Sequence, residues 1–386
     1  MNRLQSFAEL YRQELLAQVI PFWETHSLDR EQGGYFTCLQ ADGRVFDRDK
    51  FIWLQARQVW TFAMLYQQVA ANPAWMDIAL HGADFLEKYG RDEKGDWYFS
   101  LNQQGAPLVA AYNIFSDCFA AMAFGKLYQI TQEPRYAEIA ITTFDRILAR
   151  QHHPKGHFTK QIGSTRPLKN FALPMILCNL SLELESLLPP EQVESTIQLC
   201  LEEVMTTFYD NETGWVLENV SPDGSLSDSF EGRLLNPGHA IEAMWFVMDL
   251  AKRKGDEQLG EEAAKRAIQM LELGWDPEYG GIFYFLDRKG YPPQQLEWDQ
   301  KLWWVHLESL ICLAKAYRQT GSELYADWFE KVHTYSWAHF RDLEHGGEWY
   351  GYLNREGRVL LPLKGGKWKG CFHVPRALFQ LSQVLA

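Results

Sequence analysis

The chain of 386 residues has no CxxC pair, no HExxH and no cysteine–histidine cluster at metal-ligand spacing. Nothing in it therefore asks for a structural zinc, a metalloprotease zinc or a thioredoxin-like redox centre, and no metal is expected. The six cysteines, Cys38, Cys118, Cys178, Cys200, Cys312 and Cys371, are scattered, mostly within apolar helical stretches, as free thiols in a reducing cytosol would be. No apolar run approaches the ~20 residues that span a bilayer. The start, Met1-Asn-Arg-Leu-Gln-Ser-Phe-Ala-Glu9, places charges and amides where a signal peptide needs an apolar core, so a cytoplasmic location is expected. Positive charge is also short: 37 Lys and Arg against 50 Asp and Glu leave a net charge of −13. Such a surface repels nucleic acid and anionic membranes as general partners, though it leaves room for one local basic pocket.

What the chain has in abundance is aromatic surface, 14% of residues with 15 Trp and 17 Tyr, which suits either carbohydrate stacking or a wide helical core. It also has a repeat. A polar or acidic residue, a turn glycine, an aromatic strand, a second turn glycine and a second strand first appear as Arg30-Glu-Gln-Gly33-Gly-Tyr-Phe-Thr through Gly43. The pattern returns around Gly95, around Gly156 in degenerate form, and around Gly214, Gly280 and Gly346, at steps of 62, 61, 58, 66 and 66 residues. Each copy reads as a short hairpin with a glycine turn, and six copies of one unit build the chain.

Two helical segments separate successive hairpins. Periodicity predicts twelve helices, at about 3–23, 50–70, 75–89, 113–131, 134–150, 170–187, 190–208, 237–253, 258–273, 301–319, 322–340 and 373–385. The even-numbered ones are apolar almost all round and the odd-numbered ones carry one apolar stripe, so an inner ring of six sits within an outer ring of six. The expected fold is all-α, an (α/α)6 barrel in one domain over residues 1–386, with the hairpins and all six inner-helix N-termini at one end. Any active site belongs there.

The starts of the inner helices supply the candidates. The first offers Arg57; the second, Asn113 and Asp117; the fourth, within Arg233-Leu-Leu-Asn236-Pro-Gly-His239-Ala-Ile-Glu242, offers Arg233, Asn236, His239 and Glu242; the fifth, Trp303, Trp304, His306 and Glu308; the sixth, His373. His239 lies in the first turn of its helix, where the dipole disfavours a positive ring, and is expected to stay neutral and act as a base. Two carboxylates in an aromatic cavity would also fit glycoside hydrolysis. The histidines favour removal and return of a proton beside a carbonyl, with an arginine steadying the enolate oxygen.

The segments Trp53-Leu-Gln-Ala-Arg57, Ser116-Asp-Cys-Phe119, Asn236-Pro-Gly-His239, Trp303-Trp304 with Glu308, and Gly370-Cys-Phe-His373 together resemble the N-acylglucosamine 2-epimerases, along essentially the whole chain. The resemblance implies an (α/α)6 barrel that interconverts N-acetylglucosamine and N-acetylmannosamine at C2 of the open-chain sugar. It makes His239 and His373 the acid/base pair, Arg57 the group on the carbonyl oxygen and Glu308 a residue orienting substrate or a histidine. Asn113, Asp117, Arg233, Asn236, Glu242, Trp303 and Trp304 are expected to bind substrate. Cellobiose 2-epimerases and aldose–ketose isomerases of the same superfamily carry a further histidine on the third inner helix, where this chain has Phe171-Ala-Leu-Pro-Met175-Ile-Leu-Cys-Asn-Leu180; those activities are the enzymatic alternatives. A protein-binding role, as in the renin-binding name of mammalian members, is the non-enzymatic one.

The resemblance also implies ATP as an activator that is not consumed, with no cofactor in the chemistry. Gly365-Gly-Lys-Trp lacks the Walker A spacing. The candidate nucleotide site is the basic loop with Lys160, Ser164, Thr165, Arg166 and Lys169, and Lys364, Lys367 and Lys369 are second choice. A homodimer is expected.

Overall fold

The computed structural model describes residues 3–155, 158, 159, 162 and 165–386. Among these residues the chain forms twelve helices. Helix α1 begins as Ser6–Glu14, passes through a π-helical turn at Leu15–Val19 and ends as Ile20–His26. The others are α2 Ile52–Gln68, α3 Pro73–Tyr89, α4 Ile114–Thr131, α5 Pro134–Arg150, α6 Ala172–Glu183, α7 Pro190–Glu202 with a further π turn at Glu203–Thr207, α8 Pro237–Lys254, α9 Glu257–Gly274, α10 Trp303–Thr320, α11 Glu323–His339 and α12 His373–Val384.

The two kinds of helix separate as their sequences require. In α2 every side chain from Leu54 to Leu65 is buried, whereas α5 buries only the stripe Tyr136, Ile139, Ala140, Thr143, Phe144 and Ile147, one face at helical spacing. Along the inner ring α2 packs on α4, α4 on α6, α6 on α8, α8 on α10 and α10 on α12. Each outer helix covers the inner helix of its own unit, and α1 covers α12, so the first helix closes the ring on the last. Thr61 of α2 reaches the chain just ahead of α12, donating to the Cys371 carbonyl at 2.8 Å. The architecture is the expected (α/α)6 barrel.

Short turns join inner to outer helices at the far end. Left-handed residues end α4, α8 and α10 at Gln132, Gly255 and Gly321, the usual way to stop a helix sharply. The long connections therefore all lie at the end where inner helices begin. In four of the copies the turn glycine N–H bonds back to the carbonyl of an aspartate four residues earlier: Gly33 to Asp29, Gly214 to Asp210, Gly280 to Asp276 and Gly346 to Asp342. All four glycines have φ between 68° and 85°, a backbone that side chains rarely adopt.

The helix starts at 50, 170 and 301 needed correction. Lys50–Phe51, Lys169–Asn170 and Lys301–Leu302 are strands, and they pair antiparallel with the next unit's hairpin at Ser100–Leu101, Asn219–Val220 and Tyr352–Leu353. Buried main-chain groups must find partners, and these find them across the repeat boundary, so the hairpins are stitched into a collar.

Buried ion pairs fasten that collar. Lys50 meets Asp29 at 2.7 Å, Lys301 meets Asp276 at 3.0 Å and Lys364 meets Asp342 at 2.7 Å, every partner at most 2% exposed. In each pair a lysine shortly before an inner helix holds the aspartate of a glycine turn. Removing one member leaves a buried charge. Lys50→Met should lower the unfolding free energy by about 3 kcal/mol, measured by denaturant titration, and adding Asp29→Asn should recover part of the loss.

Candidate active site

A cavity of about 830 Å³ opens at the collar end. Arg57, Asn113, His239, Glu242, Trp303, Trp304 and His373 all line it, brought together because each sits at or near the start of an inner helix. Tyr284, Glu297, Gln300 and Tyr352 join them from the hairpins and Gly365–Lys369 from the loop before α12.

At the start of α8, Pro237 takes the first position, where a missing N–H costs nothing, and Asn236 caps the helix by accepting from the His239 N–H at 3.1 Å. The His239 ring turns Nδ1 to the Glu218 carboxylate, at 3.0 and 3.2 Å from its two oxygens. At the start of α12 the His373 Nδ1 meets Glu308 Oε1 at 2.7 Å. A carboxylate on Nδ1 fixes each ring and leaves Nε2 as the nitrogen for the cavity. The Trp304 ring neighbours both, with centroids 5.4 Å from His239 and 5.9 Å from His373.

The two imidazoles are not equivalent. Burial alone would lower the pKa of His239, but the Glu218 carboxylate, with Glu242 behind it, outweighs burial and raises the ring above its ordinary value. The bias is therefore opposite in sign to the one expected from the helix end: a full charge at 3.0 Å exceeds the partial charge of a helix terminus. For His373 burial comes first, Arg57 and Arg376 add to it, and the ring is held well below its ordinary value against the pull of Glu242. Its own carboxylate is shared, since Glu308 also accepts from Arg376 at 2.7 Å and from the Trp245 indole at 3.0 Å.

Arg57 is buried, and among the described residues no carboxylate forms an ion pair with it. Its guanidinium carbon stands 3.9 Å from the ring centroid of Phe119, 4.4 Å from Trp53 and 4.6 Å from Phe372, an aromatic cage of the kind that stabilises a cation. Burial, then Arg376, bring its pKa down to about 9, so it stays charged at neutral pH. Among the described residues its Nε has no hydrogen-bond partner, nor do the indole nitrogens of Trp53 and Trp303.

Glu242, Glu308 and His373 bring ligand atoms within 4.8 Å of one another, a spacing that a metal ion could use. The Arg376 guanidinium already fills that role, 2.6 Å from Glu242 and 2.7 Å from Glu308. The same arginine removes the glycosidase reading, because that mechanism needs two carboxyl groups free to face the sugar.

Other candidates fall elsewhere. Phe115 and Phe119 form the cavity face of α4, so Asp117, two residues from each, turns the other way and pairs with Arg150 at 3.1 Å; burial pushes its carboxyl up to about 7. Arg233 faces Asp287 and Asp228 on the rim, and Asn236 is spent as a cap. His306 is a core histidine, its Nδ1 on the Leu302 carbonyl and its Nε2 accepting from the Ile282 N–H, with burial bringing its pKa to about 3. Of the nucleotide candidates, Lys160 and Ser164 lie outside the described residues. Thr165 is exposed, Arg166 is 3.9 Å from Glu231 and Lys169 pairs with Glu203. Lys364 and Lys369 are buried in ion pairs with Asp342 and Glu348, which leaves Lys367 at the cavity mouth.

Glu218 and Arg376 were missed. A signal existed for each. Glu218 follows turn glycine Gly214 by four residues, where the other copies have Thr37, Phe99, Lys160, Tyr284 and Tyr350, so it is the one carboxylate at that position. Arg376 follows His373 by three, as Glu242 follows His239.

The family model for N-acylglucosamine 2-epimerase matches residues 34–377. The chain is 40% identical to N-acylglucosamine 2-epimerase of Rattus norvegicus, over 99% of this chain and 92% of that protein. It is 38% identical to the Homo sapiens protein of the same name, over 99% and 91%. Among solved structures, cellobiose 2-epimerase from Bacillus thermoamylovorans B4167 superposes with a TM-score of 0.84 at 20% identity, covering 98% of this chain and 99% of that one; a D-mannose isomerase reaches 0.82 at 19%, covering 98% and 97%. Both share the fold. Fold, cavity and relatives together define a sugar epimerase. More particularly, the chain belongs to the N-acylglucosamine 2-epimerase family.

Glu218 can be tested as a positioning residue through the pH profile. A carboxylate that raises the pKa of His239 keeps its proton on to higher pH, so losing the charge should move the alkaline limb of kcat/KM downward. Glu218→Gln should shift that limb by about 1 unit and lower kcat at neutral pH by ~10–100-fold. The shift should be the same in both reaction directions, because their ratio is an equilibrium constant. An unmoved limb would make Glu218 merely structural.

Proposed function

We propose that the protein interconverts N-acetyl-D-glucosamine and N-acetyl-D-mannosamine through an enediolate of the open-chain sugar. The observation that carries this reading is the pair of imidazoles on one cavity, each bound at Nδ1 by its own carboxylate and biased to opposite protonation states. Environments that drive two titratable groups apart assign the acid and the base. In one direction neutral His373 takes the C2 proton through Nε2, the electron pair moves onto O1 beside Arg57, and protonated His239 delivers a proton to the opposite face of C2. In the other direction the roles exchange. Arg57, charged and lacking a carboxylate partner, stabilises the oxyanion as it develops.

The family resemblance supports three further parts of the reading. ATP activates without being consumed, and the basic loop 160–169 is its candidate seat; the protein is a homodimer; and it acts in the cytoplasm, which agrees with there being no helix among the described residues long and apolar enough to cross a membrane. The isomerase alternative is disfavoured by α6, whose cavity face, Ala172, Met175 and Ile176, carries no imidazole.

Proton NMR of N-acetylmannosamine incubated with the protein in deuterated water tests the reaction. Two bases predict that product carries deuterium at C2 from the first turnover, while recovered substrate stays largely protiated early on. Transfer of the original C2 hydrogen into product would mean one base serving both faces, and absence of any epimer would remove the reading.

A further inference from the structure

The cavity has a chemical side and a blank side. Taking the inner helices in ring order, α8, α10, α12 and α2 contribute His239, Trp303 with Trp304, His373 and Arg57, and the unpartnered donors of Arg57, Trp53 and Trp303 are all on α2 and α10. Helix α6 differs. The residues it presents are Ala172, Met175 and Ile176, at i, i+3 and i+4 on one helical face, and none has a polar side chain.

The geometry of the proposed reaction says what that face must meet. A planar enediolate has the two imidazoles above and below C2, so the three remaining bonds of C2 lie in the plane between them. One leads to C1, whose oxygen goes to Arg57. The bond to C3 leads to a chain of hydroxyls, which need polar partners and find Asn113, Glu297 and Gln300 on the cavity wall. The third bond carries the acylamino group, whose alkyl end loses nothing by being placed against carbon and would waste a hydrogen-bonding site elsewhere.

We propose that the Ala172–Met175–Ile176 face of α6 seats the acyl group on C2 and sets how long an acyl chain the enzyme accepts. The proposal rests on the epimerase reading above. Met175 is 3% exposed and Ala172 7%, so both are held by their neighbours and form a fixed wall, against which a longer acyl chain is crowded. One methylene too many in such a pocket costs ~10–200-fold in kcat/KM.

The test compares kcat/KM for N-acetyl-, N-propanoyl- and N-butanoyl-mannosamine. In Met175→Ala the butanoyl-to-acetyl ratio should rise about tenfold over the parent enzyme. Ile176→Ala, at a less buried position, should move the ratio the same way and covers the case in which Met175→Ala does not fold. Ala172→Val should lower it. Leu361→Ala enlarges the cavity from the loop before α12 and should leave the ratio unchanged. An unaltered ratio in both the Met175 and Ile176 variants, or a rise confined to Leu361→Ala, would overturn the acyl seat while leaving the epimerase reading intact. A parent enzyme that turns over none of the three sugars would instead remove that reading, and this proposal with it.

Discussion

Three inner helices meet on one carboxylate. Glu308, fully buried on α10, accepts from His373 and Arg376 on α12 and from Trp245 on α8. A buried carboxylate is tolerable only when its lone pairs are taken up by donors and its charge is countered, and here Arg376 does the latter while bonding Glu242 as well. The consequence is positional. His373 cannot rotate without breaking its 2.7 Å bond to Glu308, and Glu308 cannot follow it without stranding Arg376 and Trp245. The base is held by a network whose members lie in the barrel's core, where they exclude water and fix one arrangement.

The asymmetry between the histidines follows from how each carboxylate is employed. Glu218 comes from a hairpin and bonds His239, so its charge acts on that ring. Glu308 divides its charge among two cationic or polar donors besides His373, and Arg57 and Arg376 face the same ring. Two residues of one type on one fold, at repeat-related positions, thereby acquire opposite biases, which an epimerase needs because one face must lose a proton and the other must gain one. The aromatic cage completes the arrangement by letting Arg57 stay charged without spending a carboxylate that an oxyanion would then have to displace.

Much of this was legible in the sequence, for identifiable reasons. Glycine spacing revealed the repeat, and the contrast between all-round and striped apolar helices sorted inner from outer. Together they located the site end, and with it Arg57, Asn113, His239, Glu242, Trp303, Trp304 and His373. Position within a repeat specifies the end of the barrel but not the side of the helix. Asp117 shows the difference, since Phe115 and Phe119 own the cavity face of α4 and the aspartate goes to Arg150. Contacts between units were hidden as well. Glu218 reaches His239 from a hairpin 21 residues earlier, and the strands ahead of α2, α6 and α10 exist only because the neighbouring unit supplies their partners. The downward bias on His239 expected from the helix end is outweighed for the same reason: its decisive neighbour, Glu218, was not local.

The central claim is that two imidazoles on one cavity rest in different charge states. Nitrogen-15 NMR of side-chain-labelled histidine, assigned with His239→Gln and His373→Gln variants, reads it directly at pH 6.5, the ordinary histidine midpoint. The account predicts His239 more than half protonated, with both ring nitrogens bearing hydrogen, and His373 neutral with its proton on Nδ1. A neutral His239, or a protonated His373, would contradict it.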